Sequence, residues 1–319
     1  MSALAHPTQA GPEPDRPADH PLLASVGRTP LLPLRRLGAD MPAGVTLSAK
    51  VEGFNPTGSV KDRPAAAILR QALLDGELAG GRTLLDSTSG NMGIAYASFG
   101  AALGIPVHLA VPANASRVRL ASLRALGAEL TLTDPLEGSD GARVVAAELA
   151  ASDPERFYFA NQYANPENWG AHLRTTGPEV VEQTQGQLTH FVCGLGTSGT
   201  LVGVGRFLRR RSPRVQLIAV QPDGPLHGLE GLKHFPSTPT PPIYDAGLAD
   251  DTVQVSTEQA YEMTRRLARE EGLLAGISSG AAVQAALEVG HRLAEGHLVV
   301  LLPDSGGRYL DEPFWSAKP

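Results

Sequence analysis

The sequence predicts an α/β fold of two domains, each with a mainly parallel, twisted sheet flanked by helices. One observation is the alternation of short apolar runs with segments of helical spacing along most of the chain. Another is the length of 319 residues, which is enough for two cores. Because ligands of such sheets bind beyond the carboxyl ends of the strands, a site is expected in the turns that follow strands.

The predicted strands are apolar runs bounded by turn residues. They are RTLLDS at 82–87, VHLAVP at 107–112, ELTLTD at 129–134, THFVCG at 189–194, VQLIAVQP at 215–222 and HLVVLLPD at 297–304. Apolar residues at helical spacing predict helices at 65–73, 92–103, 116–126, 140–150, 201–211, 258–271 and 281–293. Pro64 is compatible only with the first turn of a helix, so the first helix is expected to begin between Ser59 and Lys61.

Domain boundaries follow from composition and from this order of elements. Residues 1–20 are rich in Pro, Ala and Asp, which predicts a flexible tail. Residues 21–160 are predicted to form an N-terminal α/β domain, with an open alternative in which its first strand region packs on the other domain. Residues 161–319 are predicted to form a C-terminal α/β domain. Its Pro-rich stretch 235–250 is expected to be a surface excursion, because strand and helix patterns resume after it.

Composition argues against several classes of protein. Hydrophobic content of 42% and charged content of 19% suit a globular chain, and the formal net charge of -6 argues against a nucleic-acid partner. No apolar run reaches the length of a membrane span, and the N-terminus lacks the pattern of a secretion signal. The one cysteine, Cys193, rules out an intramolecular disulfide and is expected to be a buried structural residue. We therefore expect a cytoplasmic protein without a nucleic-acid, membrane or metal partner.

The segment NPTGSVKDR at 55–63 places Lys61 directly after turn residues, at the expected start of a helix. An ammonium group is disfavoured there, because the N-terminus of a helix is the positive end of its dipole. One interpretation is a solvated surface lysine. The other is a lysine that must lose its proton, as an amine that forms a Schiff base does. The segment alone leaves both interpretations open.

Two strand-to-helix turns carry residue types that bind ligands. DSTSGNMG at 86–93 supplies hydroxyls, a glycine and an amide, which fit either a ligand or the N-cap of the next helix. GLGTSGT at 194–200 combines glycines and hydroxyls before a helix, which favours a phosphate site over a tight crossover. It lacks the G-K-[ST] ending of a nucleotide P-loop. A dinucleotide also fits poorly, because Gln221 rather than an acidic residue ends the next strand.

Two further segments complete the pattern. In GISSGAAV at 276–283, Ser278 or Ser279 is expected to cap the helix that follows. PDSGG at 303–307 follows the last predicted strand. A lysine at a helix start, a hydroxyl–amide loop, a phosphate site and a serine at a helix N-terminus would meet at one sheet edge. A small phosphorylated aldehyde that forms an imine would use each of these features.

With these motifs in this order and spacing, the sequence resembles the cysteine synthases among pyridoxal-phosphate fold type II enzymes, which include O-acetylserine sulfhydrylases and cystathionine β-synthases. The resemblance extends from about Leu22 to Trp315 and implies a tryptophan synthase β-like fold with pyridoxal 5′-phosphate as cofactor. It implies that Lys61 forms the Schiff base and moves the α-proton, that Asn91 hydrogen-bonds the cofactor's 3′-oxygen, and that Ser278 faces the pyridine nitrogen. The implied phosphate site is Gly196, Thr197, Ser198, Gly199 and Thr200. The implied site for the substrate carboxylate is Thr88, Ser89, Gly90, Asn91 and Gln162.

The resemblance also implies a reaction, a β-replacement on O-acetylserine or O-phosphoserine by a sulfur nucleophile, giving L-cysteine through an aminoacrylate. A serine hydroxyl at the pyridine nitrogen makes the ring a weaker electron sink than a carboxylate would, which favours loss of a good leaving group. Cystathionine synthesis, diaminopropionate-type synthesis and a non-catalytic scaffold stay open as alternatives. A nicotinamide dehydrogenase is weakened by the missing acidic residue. A homodimer is implied as well.

Some residues near the motifs have less defined expectations. The family often has threonine at the position of Met92, so the packing of the substrate loop and the acceptor preference are open. The segment HGLEGLKH at 227–234 is expected to border the mouth of the site. Its His227, Lys233 and His234 either attract an anionic substrate or form a solvated polar loop. Asp304 is expected near the cofactor ring.

Overall fold

The computed structural model describes residues 19–88 and 90–316 and shows an α/β fold with two separate sheets. The strands are β1 (Leu31–Pro33), β2 (Gly44–Val51), β3 (Thr83–Ser87), β4 (Val107–Pro112), β5 (Glu129–Thr133), β6 (Phe157–Phe159), β7 (His190–Gly194), β8 (Gln216–Pro222), β9 (Asp251–Val255) and β10 (Glu295–Leu302). The α-helices are α1 (Pro21–Ala24), α2 (Asp62–Leu74), α3 (Asn91–Leu103), α4 (Arg117–Ala125), α5 (Gly138–Ser152), α6 (Pro166–Arg174), α7 (Thr176–Gln183), α8 (Gly199–Arg211), α9 (Thr257–Glu271) and α10 (Ile277–Gly290).

Parallel pairing dominates both sheets. The larger sheet has the order β1-β2-β10-β7-β8-β9, and the smaller sheet has the order β5-β4-β3-β6. Neighbouring strands of these two sheets are parallel in every pair except β1 with β2, which are antiparallel. The predicted α/β class with mainly parallel sheets is therefore confirmed.

The predicted strands are all present, with ends that differ by two residues at most, but several elements were not predicted. The strands β1 and β6 have only three residues each, too few to show a pattern. β2 carries a lysine that looks solvent-exposed in sequence, and β9 has an exposed residue between its two buried valines. The helix α2 begins at Asp62, one residue after the predicted interval, and α10 begins at Ile277 rather than at Ala281.

The first strand region pairs with strands from the far end of the chain. β2 runs parallel to β10, with Leu47 opposite Leu298, so β1 and β2 belong to the six-stranded sheet. Every other strand of that sheet begins at His190 or later. The boundaries at residues 20 and 160 stay predictions. Of the predicted tail, residues 1–18 lie outside the described part of the chain.

The central strand β10 shows why a strand of the larger sheet has a continuous apolar sequence. Leu298 and Val300 pack in the core beneath α9 and α10, whereas Val299 and Leu301 pack in the core beneath α7 and α8. Because helices cover both faces, successive residues must all be apolar. The smaller sheet packs through a separate core that includes residues of α2 and α3.

The carboxyl ends of both sheets open onto one cleft. The turn from β3 to α3, the turn from β7 to α8 and the segment that follows β10 all line it. This is the place that the rule for parallel sheets predicts for a ligand. Among the described residues, no helix is both long and apolar enough to cross a membrane.

Candidate active site

The cleft brings together the segments that the sequence singled out. Most of the predicted site residues line it, namely Lys61, Thr88, Gly90, Asn91, Gln162, Gly196, Thr197, Ser198, Gly199, Thr200 and Ser278. The remaining one, Ser89, lies outside the residues that the structure describes. Residues 230–233 of the segment HGLEGLKH also line the cleft, as that segment's predicted place at the mouth requires.

Lys61 occupies the N-cap of α2 and lies partly buried in the cleft. Its neighbour Asp62 is held in place because its carboxylate accepts hydrogen bonds from the backbone and the hydroxyl of Thr57. Burial lowers the pKa of Lys61, and the nearby carboxylate of Asp304 acts in the opposite direction. A lowered pKa favours the neutral amine, which is the form that attacks an aldehyde. Lys61 therefore does not fit the interpretation as a solvated surface lysine.

A buried group of two cations and two anions anchors the Lys61 loop to the rest of the protein. Arg63 donates to Glu52 at 2.6 Å and to Glu179 of α7 at 2.7 Å. Lys50 of β2 donates to the same Glu179 at 2.6 Å. Although burial alone would raise it, hydrogen bonding and charge from Arg63 lower the pKa of Glu179 to about 2. No sequence pattern indicates this group, since Glu179 lies 116 residues from Arg63 and 129 residues from Lys50 along the chain.

The loop before α3 is built around Thr88. Its hydroxyl oxygen accepts hydrogen bonds from the backbone N–H groups of Gly90 at 3.1 Å and Gly93 at 3.2 Å. Capping and ligand binding are therefore compatible here, because the hydroxyl hydrogen of Thr88 can still be donated to a ligand. The side chain of Gln162 donates to the carbonyl of Ser87 at 2.8 Å, which holds it beside this loop.

Behind this loop, Asp86 ties β3 to the Gln162 segment. Its carboxylate accepts hydrogen bonds from the backbone of Ser87 at 2.8 Å and of Gln162 at 3.1 Å. Burial raises the pKa of Asp86 to about 7. A buried side chain that faces the backbone therefore joins the end of β3, directly before the loop, to the Gln162 segment.

The loop before α8 has the features of an anion site. Ser198 has a left-handed backbone with φ of 67°, and α8 begins directly after it at Gly199. The hydroxyl oxygen of Ser198 is buried and has no hydrogen-bond partner among the described residues. The first N–H groups of a helix also lack partners within the helix. A phosphate at this place would satisfy both kinds of donor.

Two residues behind the loop support its hydroxyls, and sequence reasoning did not find them. Asn168 donates to the hydroxyl oxygen of Thr197 at 3.2 Å. The Nε2 of His172 lies 3.4 Å from the hydroxyl oxygen of Thr200, and burial lowers the pKa of His172 to about 3. A neutral imidazole that donates through Nε2 leaves the Thr200 hydroxyl hydrogen for a ligand. Both residues lie in α6, which the sequence pattern did not reveal.

The glycines of this loop are required by neighbouring protein atoms. A Cβ at Gly196 would overlap the carbonyl of Gly231, and a Cβ at Gly199 would overlap the side chain of Asn168. A Cβ at Gly194 would meet only the flexible end of the Leu232 side chain, so packing requires this glycine less strictly. The expected close approach of a ligand therefore does not by itself explain these glycines, because packing of the loop already requires them.

Ser278 lies in the first turn of α10, buried at the bottom of the cleft. The N-cap of α10 is Gly276, so the expectation that Ser278 or Ser279 caps this helix is wrong. The reason is that the helix begins earlier than its apolar pattern indicated. Cys193, at the end of β7, is buried as expected, and burial raises the pKa of its thiol to about 12.

Ion pairs span the mouth of the cleft. They join the half of the protein built around the smaller sheet to the half built around the larger sheet. Arg119 of α4 pairs with Glu230, and Lys233 donates to Asp140 of α5 at 2.9 Å. Arg119 also lies over the ring of Tyr309, at 5.3 Å from its centroid. Met92 is buried in the wall of the same cleft. His227 and His234 bond within their own loop, to the backbone of Leu229 and to Ser237.

The residues of the cleft fit pyridoxal phosphate. The amine of Lys61 has a lowered pKa, the unpartnered hydroxyl of Ser198 stands at a helix N-terminus, and the hydroxyl of Ser278 is buried in the same cavity. These groups match the aldehyde, the phosphate and the ring nitrogen of that cofactor. Within the described residues, no group of His, Cys, Asp and Glu side chains is arranged to hold a metal ion.

Known proteins share this fold and much of this sequence. The chain is similar to a cysteine synthase of Aquifex aeolicus, with 47% identity over 311 residues that cover 96% of this chain and 95% of that protein. Its fold is similar to the crystal structure of a cysteine synthase (OASS) from Entamoeba histolytica, with a TM-score of 0.89 and 32% identity, covering 100% of this chain and 95% of that one.

A further solved structure with the same fold is an O-acetylserine dependent cystathionine β-synthase from Helicobacter pylori. It has a TM-score of 0.87 and 34% identity, and the match covers 92% of this chain and 98% of that one. The family model for pyridoxal-phosphate dependent enzymes matches residues 22–304. With the cleft described above, this match shows that the chain belongs to the family of pyridoxal-phosphate dependent enzymes.

Proposed function

We propose that this enzyme makes L-cysteine by β-replacement, in which a sulfur nucleophile displaces the leaving group of an activated serine. The observation that carries the proposal is the position of Lys61 between the hydroxyl–amide loop and the anion site, in a chain 47% identical to a cysteine synthase. The donor is O-acetylserine or O-phosphoserine. The acceptor is a sulfur nucleophile such as sulfide.

The cofactor, when bound, supplies an aldehyde that holds the amino group of the substrate and a ring that accepts the electron pair of its Cα–H bond. The phosphate is held by the N-terminal turn of α8 together with the preceding loop, at Gly196, Thr197, Ser198, Gly199 and Thr200. Asn91 donates to the 3′-oxygen of the ring, and Ser278 donates to its nitrogen. A serine hydroxyl there does not hold a proton on the ring nitrogen as a carboxylate would.

Lys61 is the base that takes the proton from Cα of the substrate. Its lowered pKa favours the neutral amine, which is the form that can accept a proton. The substrate carboxylate binds the N–H and hydroxyl groups at Thr88, Ser89, Gly90 and Asn91, with Gln162 beside them. This places Cα close to Lys61, since both segments line one cleft.

The related Helicobacter pylori protein, an O-acetylserine dependent cystathionine β-synthase, supports a second candidate acceptor, homocysteine. A diaminopropionate-type reaction would instead use an amine nucleophile. A non-catalytic scaffold is the remaining alternative, and the intact lysine and anion site speak against it. The enzymatic candidates share the donor half of the reaction and differ in the nucleophile.

An activity matrix on the purified protein tests the proposal. O-acetylserine, O-phosphoserine and serine are each combined with sulfide, thiosulfate, homocysteine and an amine, and the amino-acid products are quantified. We expect cysteine from an activated serine and sulfide, together with a visible absorption band of bound cofactor. Cystathionine as the main product would favour the second candidate, and no product with any pair would favour the scaffold.

We further propose that the protein is a cytoplasmic homodimer. The similarity to cysteine synthases supports this assembly, and the single cysteine fits a reducing compartment. Sedimentation equilibrium of the cofactor-loaded protein tests the assembly, and a monomer mass over the micromolar range would contradict it. Fractionation of the source cells tests the location.

A further inference from the structure

The segment at residues 303–309, PDSGGRY, lies between the Lys61 loop and the start of α10. The backbone N–H of Val60 donates to the carbonyl of Pro303 at 2.7 Å, and that of Ser305 donates to Gly58 at 3.1 Å. On the other side, the N–H of Gly276 donates to the carbonyl of Asp304 at 3.2 Å. The segment therefore has a fixed backbone from which its side chains reach the cleft.

Two of those side chains hold the amide of Asn91 from opposite ends. The guanidinium of Arg308 donates to Oδ1 of Asn91. The Nδ2 of Asn91 donates to Oδ2 of Asp304 at 2.7 Å. A flipped amide would set its NH2 group against the guanidinium and its oxygen against the carboxylate. The charges of Arg308 and Asp304 therefore fix the orientation of the amide, with Oδ1 toward Arg308 and Nδ2 toward Asp304.

Both holding groups are themselves fixed by further contacts. Asp304 is buried, and its Oδ2 also accepts a hydrogen bond from the hydroxyl of Tyr309 at 2.6 Å. The guanidinium of Arg308 also donates to the carbonyl of Thr57, in the loop that carries Lys61. Tyr309 is held in turn by the indole N–H of Trp315, which donates to its carbonyl at 2.7 Å. Little freedom is left for either group to rotate away from Asn91.

We propose that Asp304 and Arg308 are positioning residues that orient the Asn91 amide toward the 3′-oxygen of the cofactor. An amide NH2 group has two hydrogens, and Asp304 accepts one of them. The other is left to be donated to the 3′-oxygen. The inference rests on the proposed function, because the contact between Asn91 and the 3′-oxygen is part of it.

Cofactor titration of the apoenzyme tests the inference, with the absorption maximum of the loaded enzyme as a second readout. Asn91→Ala sets the reference, since it removes the donor itself. Arg308→Met and Asp304→Leu each remove one hold on the amide. We expect about 10-fold weaker affinity for pyridoxal phosphate, the equivalent of one hydrogen bond, and the same displaced absorption maximum as in Asn91→Ala.

Conservative variants and a matched control separate orientation from other effects. Asp304→Asn removes the charge near Lys61 but keeps an oxygen acceptor for Asn91, so we expect it to keep the wild-type absorption maximum. Arg308→Lys keeps one donor and should fall between wild type and Arg308→Met. Arg292→Met removes an arginine that pairs with Glu288 on the surface, and it should leave both readouts unchanged. A displaced maximum in Asp304→Asn equal to that of Asp304→Leu would contradict the inference.

Double variants provide the decisive comparison. If Arg308 and Asp304 act through Asn91, each substitution should weaken binding by less than about 3-fold in the Asn91→Ala background, because interacting residues are not additive. An equal loss in both backgrounds would assign them a purely structural role and overturn the inference. Wild-type apoenzyme that fails to bind pyridoxal phosphate would reject the proposed function instead.

Discussion

The ammonium of Lys233 lies 2.9 Å from the carboxylate of Asp140, across the mouth of the cleft. Lys233 belongs to the loop that follows β8 of the larger sheet, and Asp140 belongs to α5, which packs on the smaller sheet. A second pair, Arg119 with Glu230, spans the same opening. These pairs join the two halves of the protein that a bound substrate would also bridge. The loop proposed for the substrate carboxylate follows β3 of the smaller sheet, and the proposed phosphate site follows β7 of the larger sheet.

We predict that an unreactive amino acid moves residues 88–126 toward the half that carries the phosphate site. A ligand that contacts both halves binds the closed state more tightly than the open state and so shifts the equilibrium toward closure. Closure also excludes water from the reacting groups. Two crystal structures of the loaded enzyme, with and without such a ligand, measure the displacement. Superposition of the loop at 88–91 within coordinate error, in a lattice that leaves it free, would exclude closure.

The Lys233–Asp140 pair should contribute to closure in a salt-dependent way. Lys233→Met and Asp140→Asn are each expected to raise the KM of the amino-acid donor by up to about 5-fold at low salt, because partly exposed pairs contribute about 0.2–1 kcal/mol. The difference from wild type should shrink at about 0.5 M KCl, where the Debye length falls to about 4 Å. Arg292→Met, which breaks the surface ion pair between Arg292 and Glu288 at the end of α10, serves as the control. A KM that is unchanged at both salt levels would show that the pair does not assist closure.

We predict that Lys61→Ala lowers the turnover number by about 10³-fold, because it removes the base that takes the α-proton. Lys61→Arg should be equally inactive, since a guanidinium keeps the charge but is never a neutral base at this pH. Steady-state assays measure the loss, and far-ultraviolet circular dichroism checks that the fold is intact. Near-wild-type formation of cysteine by either folded variant would remove Lys61 from its role.

The hydroxyls of Thr197 and Thr200 should matter for cofactor affinity more than for chemistry. Each is expected to donate to the phosphate, and a hydrogen bond to a charged group contributes about 1.5–3 kcal/mol. Thr197→Ala and Thr200→Ala should each weaken the binding of pyridoxal phosphate by about 10-fold or more, with little change in the turnover number of saturated enzyme. Thr184→Ala removes a buried hydroxyl that bonds to carbonyls of α7, and it is the matched control. Titration curves that overlay wild type would contradict the phosphate site.

Glu179 should make the protein less stable at acidic pH. Its pKa is lowered to about 2 from the ordinary value of 4.5, so its contribution is complete above pH 4.5 and is lost as the pH falls toward 2. Glu179→Gln leaves Lys50 and Arg63 with Glu52 as their remaining anion, and we expect it to cost about 3 kcal/mol at pH 7. Below pH 4.5 the difference from wild type should shrink.

Urea unfolding at several pH values, with the cofactor concentration held constant, measures that difference. Glu295→Gln, at the exposed start of β10, is the matched control and should change the free energy of unfolding little. A difference between Glu179→Gln and wild type that stays constant from about pH 7 to about pH 3 would show that the ion pairs of Glu179 do not contribute as inferred.

The sequence was sufficient for the elements whose pattern is local. Strands such as Val107–Pro112 are covered on both faces and, apart from His108, read as apolar runs, so their limits were predictable. The motifs that contain Thr88 and Thr197 directly follow predicted strands, so local pattern was enough to place both residues in turns at strand ends. These turns belong to two different sheets rather than to one sheet edge, and local pattern did not show that the carboxyl ends of both sheets meet at one cleft with Lys61. Short elements were not predictable, because three residues such as Phe157–Phe159 carry no period.

Contacts between distant segments were decided only by the tertiary structure. The sequence by itself determined the α/β class and the turns that form the cleft, because each depends on neighbours within a few positions. The residues expected to meet the cofactor were implied by the resemblance to a known family. It did not reveal that Lys50 is buried with Glu179, that His172 supports Thr200, or that Arg308 and Asp304 hold Asn91. These partners are 28 to 217 residues apart, and only tertiary packing brings their charges and hydrogen-bonding groups within reach of each other.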